Sequence, residues 1–255
     1  MNWEQHKEAF ARDGFVILRG FASAEEVTDL RAVAERDLHP PIGPLEYEAD
    51  VQYEGAPDSL QDEGGRTPRR LLNALARSFS LRRWATQPRL GQMLTSLFDG
   101  RDARLCQNHH NCLMTKYPQY GTATQWHQDI RYWAFERPDL VSFWLALGEE
   151  VEENGALRFL PGSHNWRLEP EQLDKAKFLR TDYPGNQPLL DSAVQASLEP
   201  GDLVFFHSRT FHAAGPNLTQ DVKLSLVFTA HDVDNRPLLN TRSDRFPSLP
   251  FRDSL

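Results

Sequence analysis

Apolar positions change period several times along the first hundred residues. Trp3, His6, Phe10 and Ala11 recur at helical spacing as far as Gly14, and Phe15-Val16-Ile17-Leu18 then forms a short continuous run with the signature of a buried strand. Ser23 opens a second helix: Glu26 stands three residues on, the spacing of a capping box, and Val27, Leu30, Val33 and Ala34 make one apolar stripe behind it. From Leu38 to Pro68 the period gives way to Pro, Gly, Asp and Glu, which predicts a long loop able to cover a site. Leu71, Leu72 and Leu75, followed by Leu90, Met93, Leu94 and Leu97, predict a further helical pair between Pro68 and Phe98, closed by Gly100.

Beyond Arg101 short β-rich runs recur between turn residues: Cys106 to Lys116, Val141 to Leu147, Ala156 to Leu160, Val194 to Leu198, Leu203 to His207 and Val222 to Ala230. The fold class expected is mainly β, two packed sheets or a jelly roll with the N-terminal α-helices covering one face. A chain of 255 residues can bury a full core as one domain. Its expected parts are a helical and loop segment 1–100, a jelly-roll core 101–230 and an irregular tail 231–255. Cys106 and Cys112 are separated by an even number of residues in a strand-like stretch, which predicts two buried thiols facing one way rather than a disulfide.

Net charge narrows the partners. A formal charge of −8 disfavours nucleic acid and anionic membrane surfaces, which attract basic fields, and leaves a small molecule as the expected partner. The first residues carry acid and no apolar signal core, and no run approaches membrane-spanning length, so a cytoplasmic protein is expected. Nothing in the pattern specifies an oligomeric state.

The strongest chemical constellation is Trp126-His127-Gln128-Asp129 with a later histidine in Phe211-His212-Ala213-Ala214-Gly215-Pro216-Asn217. Residues one position apart in an extended chain point the same way, so an imidazole and a carboxylate can take adjacent metal positions while a distant strand supplies a third ligand. Two histidines and one carboxylate on one face of an octahedron leave the opposite face open, the arrangement suited to Fe(II). His207 competes for the third position, and a bare His-x-Asp pair is also common as surface polarity.

Several ordered blocks supply context: Gly14 to Phe21, Lys116-Tyr117-Pro118 before the His-x-Asp pair, Asn154-Gly155-Ala156-Leu157 running into Leu160-Pro161-Gly162-Ser163-His164, and Pro200 to His207 before His212. With these blocks the chain resembles the phytanoyl-CoA dioxygenase family of Fe(II)- and 2-oxoglutarate-dependent oxygenases. The resemblance implies a double-stranded β-helix of cupin type. It also implies iron ligands at His127, Asp129 and His212, with His207 packing nearby and His164 in a structural turn. His109, His110 and His231 have no comparable context and are expected to be polar strand residues.

By the same resemblance the cofactors are Fe(II) and the cosubstrate 2-oxoglutarate, with ascorbate as a stimulant, and the activity is hydroxylation of a small organic molecule. Because Asp129 keeps the carboxylate that related halogenases replace with a small residue, hydroxylation is favoured over halogenation. The family's arginine for the far carboxylate of 2-oxoglutarate falls on Lys223, a point charge without the bidentate fork, and Arg158 and Arg209 are the alternative cations. Trp144, Cys112 and Ala214 fall on other cosubstrate positions, although the family usually has Met and Ser at the last two. The departure at Lys223 supports an alternative, a cupin-like metal-binding protein of the same fold without turnover.

Overall fold

The computed structural model describes residues 3–51 and 53–252. Helix α1 (Trp3–Asp13) buries Phe10 and ends at Gly14, whose φ of +80° turns the chain into β1 (Phe15–Leu18). A Cβ on Gly14 would stand 2.4 Å from His164 Nδ1, so both the conformation and the close approach require glycine. Helix α2 (Ala24–Leu38) starts on the expected capping box, in which Ser23 Oγ accepts from the Glu26 N–H and the Glu26 carboxylate accepts from the Ser23 N–H.

The next elements are β2 (Leu45–Tyr47), β3 (Pro68–Leu72), α3 (Ala74–Arg77), α4 (Phe79–Thr86) and α5 (Pro88–Leu97). They correct two expectations. The stretch from Leu38 to Pro68 is not one structureless loop, because β2 pairs with β3 and Glu48 is buried in a 3₁₀ turn against Arg69. Leu71 and Leu72 lie on strand β3 rather than on a helix. Pairing of β3 with β5 (Asn111–Lys116) decides their conformation, and short apolar runs do not distinguish strand from buried helix by themselves.

Antiparallel sheet dominates the remainder: β4 (Ala103–Leu105), β5, β6 (Thr124–His127), β7 (Leu140–Ala146), β8 (Leu157–Phe159), and, after the short helix α6 (Gln187–Leu190), β9 (Val194–Gln195), β10 (Leu203–His207), β11 (His212–Ala214), β12 (Lys223–Asp232) and β13 (Leu249–Pro250). The larger sheet runs β1-β10-β7-β12-β5-β3-β2, with β4 bridging β12 and β13; the smaller runs β6-β11-β8-β9. Three strands of the larger sheet therefore come from the first hundred residues, and the region after 231 holds a 3₁₀ turn and β13. The predicted run from Cys106 to Lys116 is split by a turn. Cys106 packs with Trp133 and Leu140 while Cys112 packs with Trp144 and Phe206, so the two free, buried thiols do not share a face.

Strand alternation sorts the core into layers. On β12 Leu224, Leu226, Phe228 and Ala230 join the cluster under the helices, whereas Val227 belongs to the cluster between the sheets. Likewise Phe143 and Leu145 of β7 face the helices, and Trp144 and Ala146 face the smaller sheet. Fully burying each of Phe143, Phe205 and Phe228 contributes about 1.5–3 kcal/mol to holding the helical layer on this sheet. The opposite residues of the same strands are thereby presented to the space between the sheets. Among the described residues, no helix is long and apolar enough to cross a membrane.

Candidate metal centre

His127 ends β6, and its antiparallel partner across the smaller sheet is His212 on β11. That register sets the two imidazole centroids 4.2 Å apart, and Asp129, two residues past His127 at the start of a 3₁₀ turn, returns its carboxylate to the same side. His127 Nε2 lies 3.6 Å and His212 Nε2 3.5 Å from Asp129 Oδ1. One ligand atom from each of the three buried residues falls within 4.8 Å of the others.

The surroundings prepare these atoms for a cation. His127 Nδ1 donates to the Gln125 carbonyl at 2.9 Å and His212 Nδ1 to the Thr210 carbonyl at 3.0 Å, which leaves both Nε2 lone pairs facing Asp129. Burial and the neighbouring His127 push the His212 imidazolium down to about 4, so the ring is neutral at pH 7. Burial alone would raise the Asp129 carboxyl, but His110, His212 and His127 outweigh it and hold the group below the usual carboxylate range. Its outer oxygen, Oδ2, accepts from Ser142 Oγ at 3.1 Å and lies 3.4 Å from His110 Nδ1. Two imidazole nitrogens plus one carboxylate oxygen form a donor set that fits Fe(II).

The other histidines separate from this group with one exception. His207 turns Nε2 toward Asp139 Oδ1 at 3.8 Å, accepts the Arg209 N–H on Nδ1, and has Phe10 and His164 as ring neighbours. His164 meets the Ala11 carbonyl at 3.2 Å, and His231 contacts Ser248 Oγ at 2.7 Å. His110 departs from its expected role: it precedes β5 in a turn and reaches Asp129 because β5, β12 and β7 are adjacent. No feature of the sequence signals that contact.

A cavity beside the cluster is lined by Trp144, Ala214, Lys116, Lys223, Met114 and Arg70, among others. Cys112 does not line it and instead contacts Met114 sulfur to sulfur at 3.7 Å. Arg158 is exposed over the Trp126 ring, and Arg209 donates to the Trp166 carbonyl; neither lines the cavity. Lys223 does, with Nζ 3.1 Å from Glu150 Oε2 and 5.1 Å from the Trp144 ring centre. Glu150 Oε1 also accepts from Trp144 Nε1 at 2.9 Å and from Ser225 Oγ at 2.6 Å.

Glu150 and the cationic role of Lys116 are the residues that sequence reasoning missed. Lys116 is the direct cross-strand partner of Lys223. Its ammonium donates to the Gly215 carbonyl at 2.5 Å, and burial, Lys223 and Arg69 push it down to about 7. Arg70 and Arg69 on the same wall have carboxylates beside them, Glu46 at 3.3 Å and Glu48 at 2.9 Å.

Residues 10–225 match the family model described as phytanoyl-CoA dioxygenase. Peroxisomal phytanoyl-CoA dioxygenase of Homo sapiens is 34% identical over 128 residues, 46% of this chain and 37% of that protein. A probable phytanoyl-CoA dioxygenase of Caenorhabditis elegans is 30% identical over 46% of this chain and 40% of its own length, so the match spans well under half of these two relatives. A probable alpha-ketoglutarate-dependent hypophosphite dioxygenase of Stutzerimonas stutzeri is 25% identical across 92% of this chain and 80% of that protein. Among solved structures, the non-heme alpha ketoglutarate dependent epimerase SnoN from nogalamycin biosynthesis is 25% identical with a TM-score of 0.73, covering 98% of this chain and 95% of its own. EctD from S. alaskensis with 2-oxoglutarate and 5-hydroxyectoine shares the fold at a TM-score of 0.73 and 22% identity, covering 100% of this chain and 85% of its own.

Proposed function

Because the chain belongs to the phytanoyl-CoA dioxygenase family, we propose that it is an Fe(II)- and 2-oxoglutarate-dependent dioxygenase that hydroxylates a small organic molecule, with iron on His127, Asp129 and His212. The observation that carries this reading is the convergence of the His127 and His212 Nε2 atoms on one oxygen of Asp129. The two sheets would then be the halves of a double-stranded β-helix, and residues 1–255 a single domain. Bound iron with 2-oxoglutarate would supply the oxidising chemistry: dioxygen takes two electrons from the cosubstrate, which loses carbon dioxide and becomes succinate, and two from the substrate, with one oxygen atom going to each product.

The chain's own residues orient and enclose the reactants. Trp144 and Ala214 form the wall against which the cosubstrate lies, and Lys116 and Lys223 receive its far carboxylate. Lys223 is already balanced by Glu150, so Lys116, which donates only to carbonyls, supplies the uncompensated charge. Tyr132 and Phe178, each 6.0 Å from the His127 ring centre, keep water from the ligand face. Relatives bearing names with different substrates give no basis for choosing one here, and a CoA ester is not implied.

The Lys223–Glu150 pair favours one second reading, a metal-binding protein of the same fold without turnover, because the pair already satisfies the cation that the cosubstrate needs. Purified protein given Fe(II), ascorbate and 2-oxoglutarate in air should release succinate, and His127→Ala should not. Fe(II) binding without succinate would reject the enzyme reading in favour of the second.

A further inference from the structure

We propose that the substrate is a small organic anion whose charged group pairs with Arg131 beside the metal ligands, outside the cavity that Lys116 and Lys223 line; this deepens the reading above and rests on it. Arg131 stands two residues beyond Asp129 in the same 3₁₀ turn. Its guanidinium carbon lies 4.0 Å over the Phe178 ring and 5.2 Å over the Tyr132 ring, the two rings that flank His127. Guanidinium is charged at any working pH, and its planar N–H fork matches oxyanions. Here Nη1 is buried without a hydrogen-bond partner, and among the described residues no carboxylate lies within ion-pair distance of Arg131.

Neighbouring polar atoms point to the same class of ligand. His109 packs on the Tyr132 ring at 5.0 Å and on the Trp133 ring at 5.4 Å. His109 Nε2 and Trp133 Nε1 are both buried and both without partners, in side chains only 8% and 7% exposed. Buried polar atoms left unpaired cost free energy, and the Arg131 and Trp133 N–H donors have no acceptor among the described residues. Burial and the stacked His110 ring lower the basicity of His109, with smaller contributions from Arg242 and Arg70 and an opposing one from Asp129. The Tyr53 and Tyr132 hydroxyls bond each other at 3.2 Å.

Benzoate and benzamide, which share a ring and differ in charge, test this on anaerobic protein saturated with Fe(II) and 2-oxoglutarate, with dissociation constants read by calorimetry. Benzoate should bind about tenfold more tightly than benzamide. Arg131→Gln should remove the difference, and Arg131→Lys should restore part of it. If Arg131 only steadies Phe178, the variants move both probes together. Equal or absent binding of the two probes to the parent, or an unchanged benzoate constant in Arg131→Gln, overturns the proposal. So does a loss of Fe(II) or 2-oxoglutarate affinity in Arg131→Gln that accounts for the change. Binding is read whether or not succinate forms, so failure of the enzymatic reading is scored separately.

Discussion

Two histidines compete in the sequence for the third ligand position, and geometry separates them. His212 Nε2 is 3.5 Å from Asp129 Oδ1, whereas His207 Nε2 is directed to Asp139. In anaerobic Fe(II) titrations His127→Ala, Asp129→Ala and His212→Ala should each lose more than about 100-fold in affinity, while His207→Ala binds as the parent does. Full affinity in His212→Ala with loss in His207→Ala would reverse the assignment. The two lysines differ in a way that pH exposes. Lys116 and Lys223 oppose each other across the strand pair, a like-charge juxtaposition relieved on one side by Glu150. Only protonated Lys116 attracts a carboxylate, and burial has brought its ammonium down to about 7. Affinity for 2-oxoglutarate, measured by calorimetry, should therefore fall as pH rises above about 7, and Lys116→Met should bind weakly without that dependence. Ligand-free stability runs the other way: the unfolded lysine holds its proton up to about 10.4, so between the two values the unfolded chain binds more protons and stability rises with pH. Lys116→Met should flatten that rise. A 2-oxoglutarate affinity indifferent to pH would return the carboxylate to Lys223. The His-x-Asp pair was legible because two residues of local chain bring it together. Glu150, His110 and the role of Lys116 were not, since their proximity is set by β5, β12 and β7 lying side by side.

Single strands carry both the core and the site, which explains what periodicity could and could not reveal. On β12 the residues under the helices are all apolar, and the alternate set holds Lys223, Ser225 and Thr229, which face Glu150, Ser142 and His110. A strand buried along its whole length looks continuous in sequence, so its second face announces no site. The turn Asn154-Gly155 does leave a mark. Gly155 has φ +75° and borders the cavity, and a Cβ there would stand 2.5 Å from the Gly215 carbonyl oxygen and 2.7 Å from Lys116 Cδ. Gly155→Ala must strain the turn by about 1–3 kcal/mol and displace either the β11 exit or Lys116. Thermal unfolding should fall accordingly, and 2-oxoglutarate affinity should drop more than Fe(II) affinity because the proposed ligands His127, Asp129 and His212 lie outside the contact. Equal losses of both would mean that the whole smaller sheet has shifted. In the β3 region the apolar spacing misled, since Leu71 and Leu72 satisfy a helical stripe as well as a strand until β5 is there to pair with.

At the scale of the molecule, the first hundred residues do more than shelter a β core. Phe10, Val16, Leu18, Leu30, Leu81 and Leu94 share one apolar cluster with Phe143, Phe205, Phe228 and Ala230. β1 pairs along its whole length with β10, Phe15 to Leu18 against Phe206 to Leu203. β3 and β2 extend the opposite side of the same sheet, and Arg69 and Arg70 on β3 reach the cavity wall. A unit built this way cannot lose its N-terminal layer without exposing the unpaired edge of β10 and part of the apolar face of β7 and β12. Chemical unfolding should therefore follow one transition, with far-ultraviolet circular dichroism, which weighs helix and sheet together, coinciding with tryptophan fluorescence from Trp84 in the helical layer and Trp144 between the sheets. Fe(II) with 2-oxoglutarate should move that transition upward as a whole, by about 2.7 kcal/mol at a hundredfold excess over the dissociation constant. Two separated transitions, with ligands shifting only the later one, would show that residues 1–100 form a body of their own and that the single-domain reading is wrong.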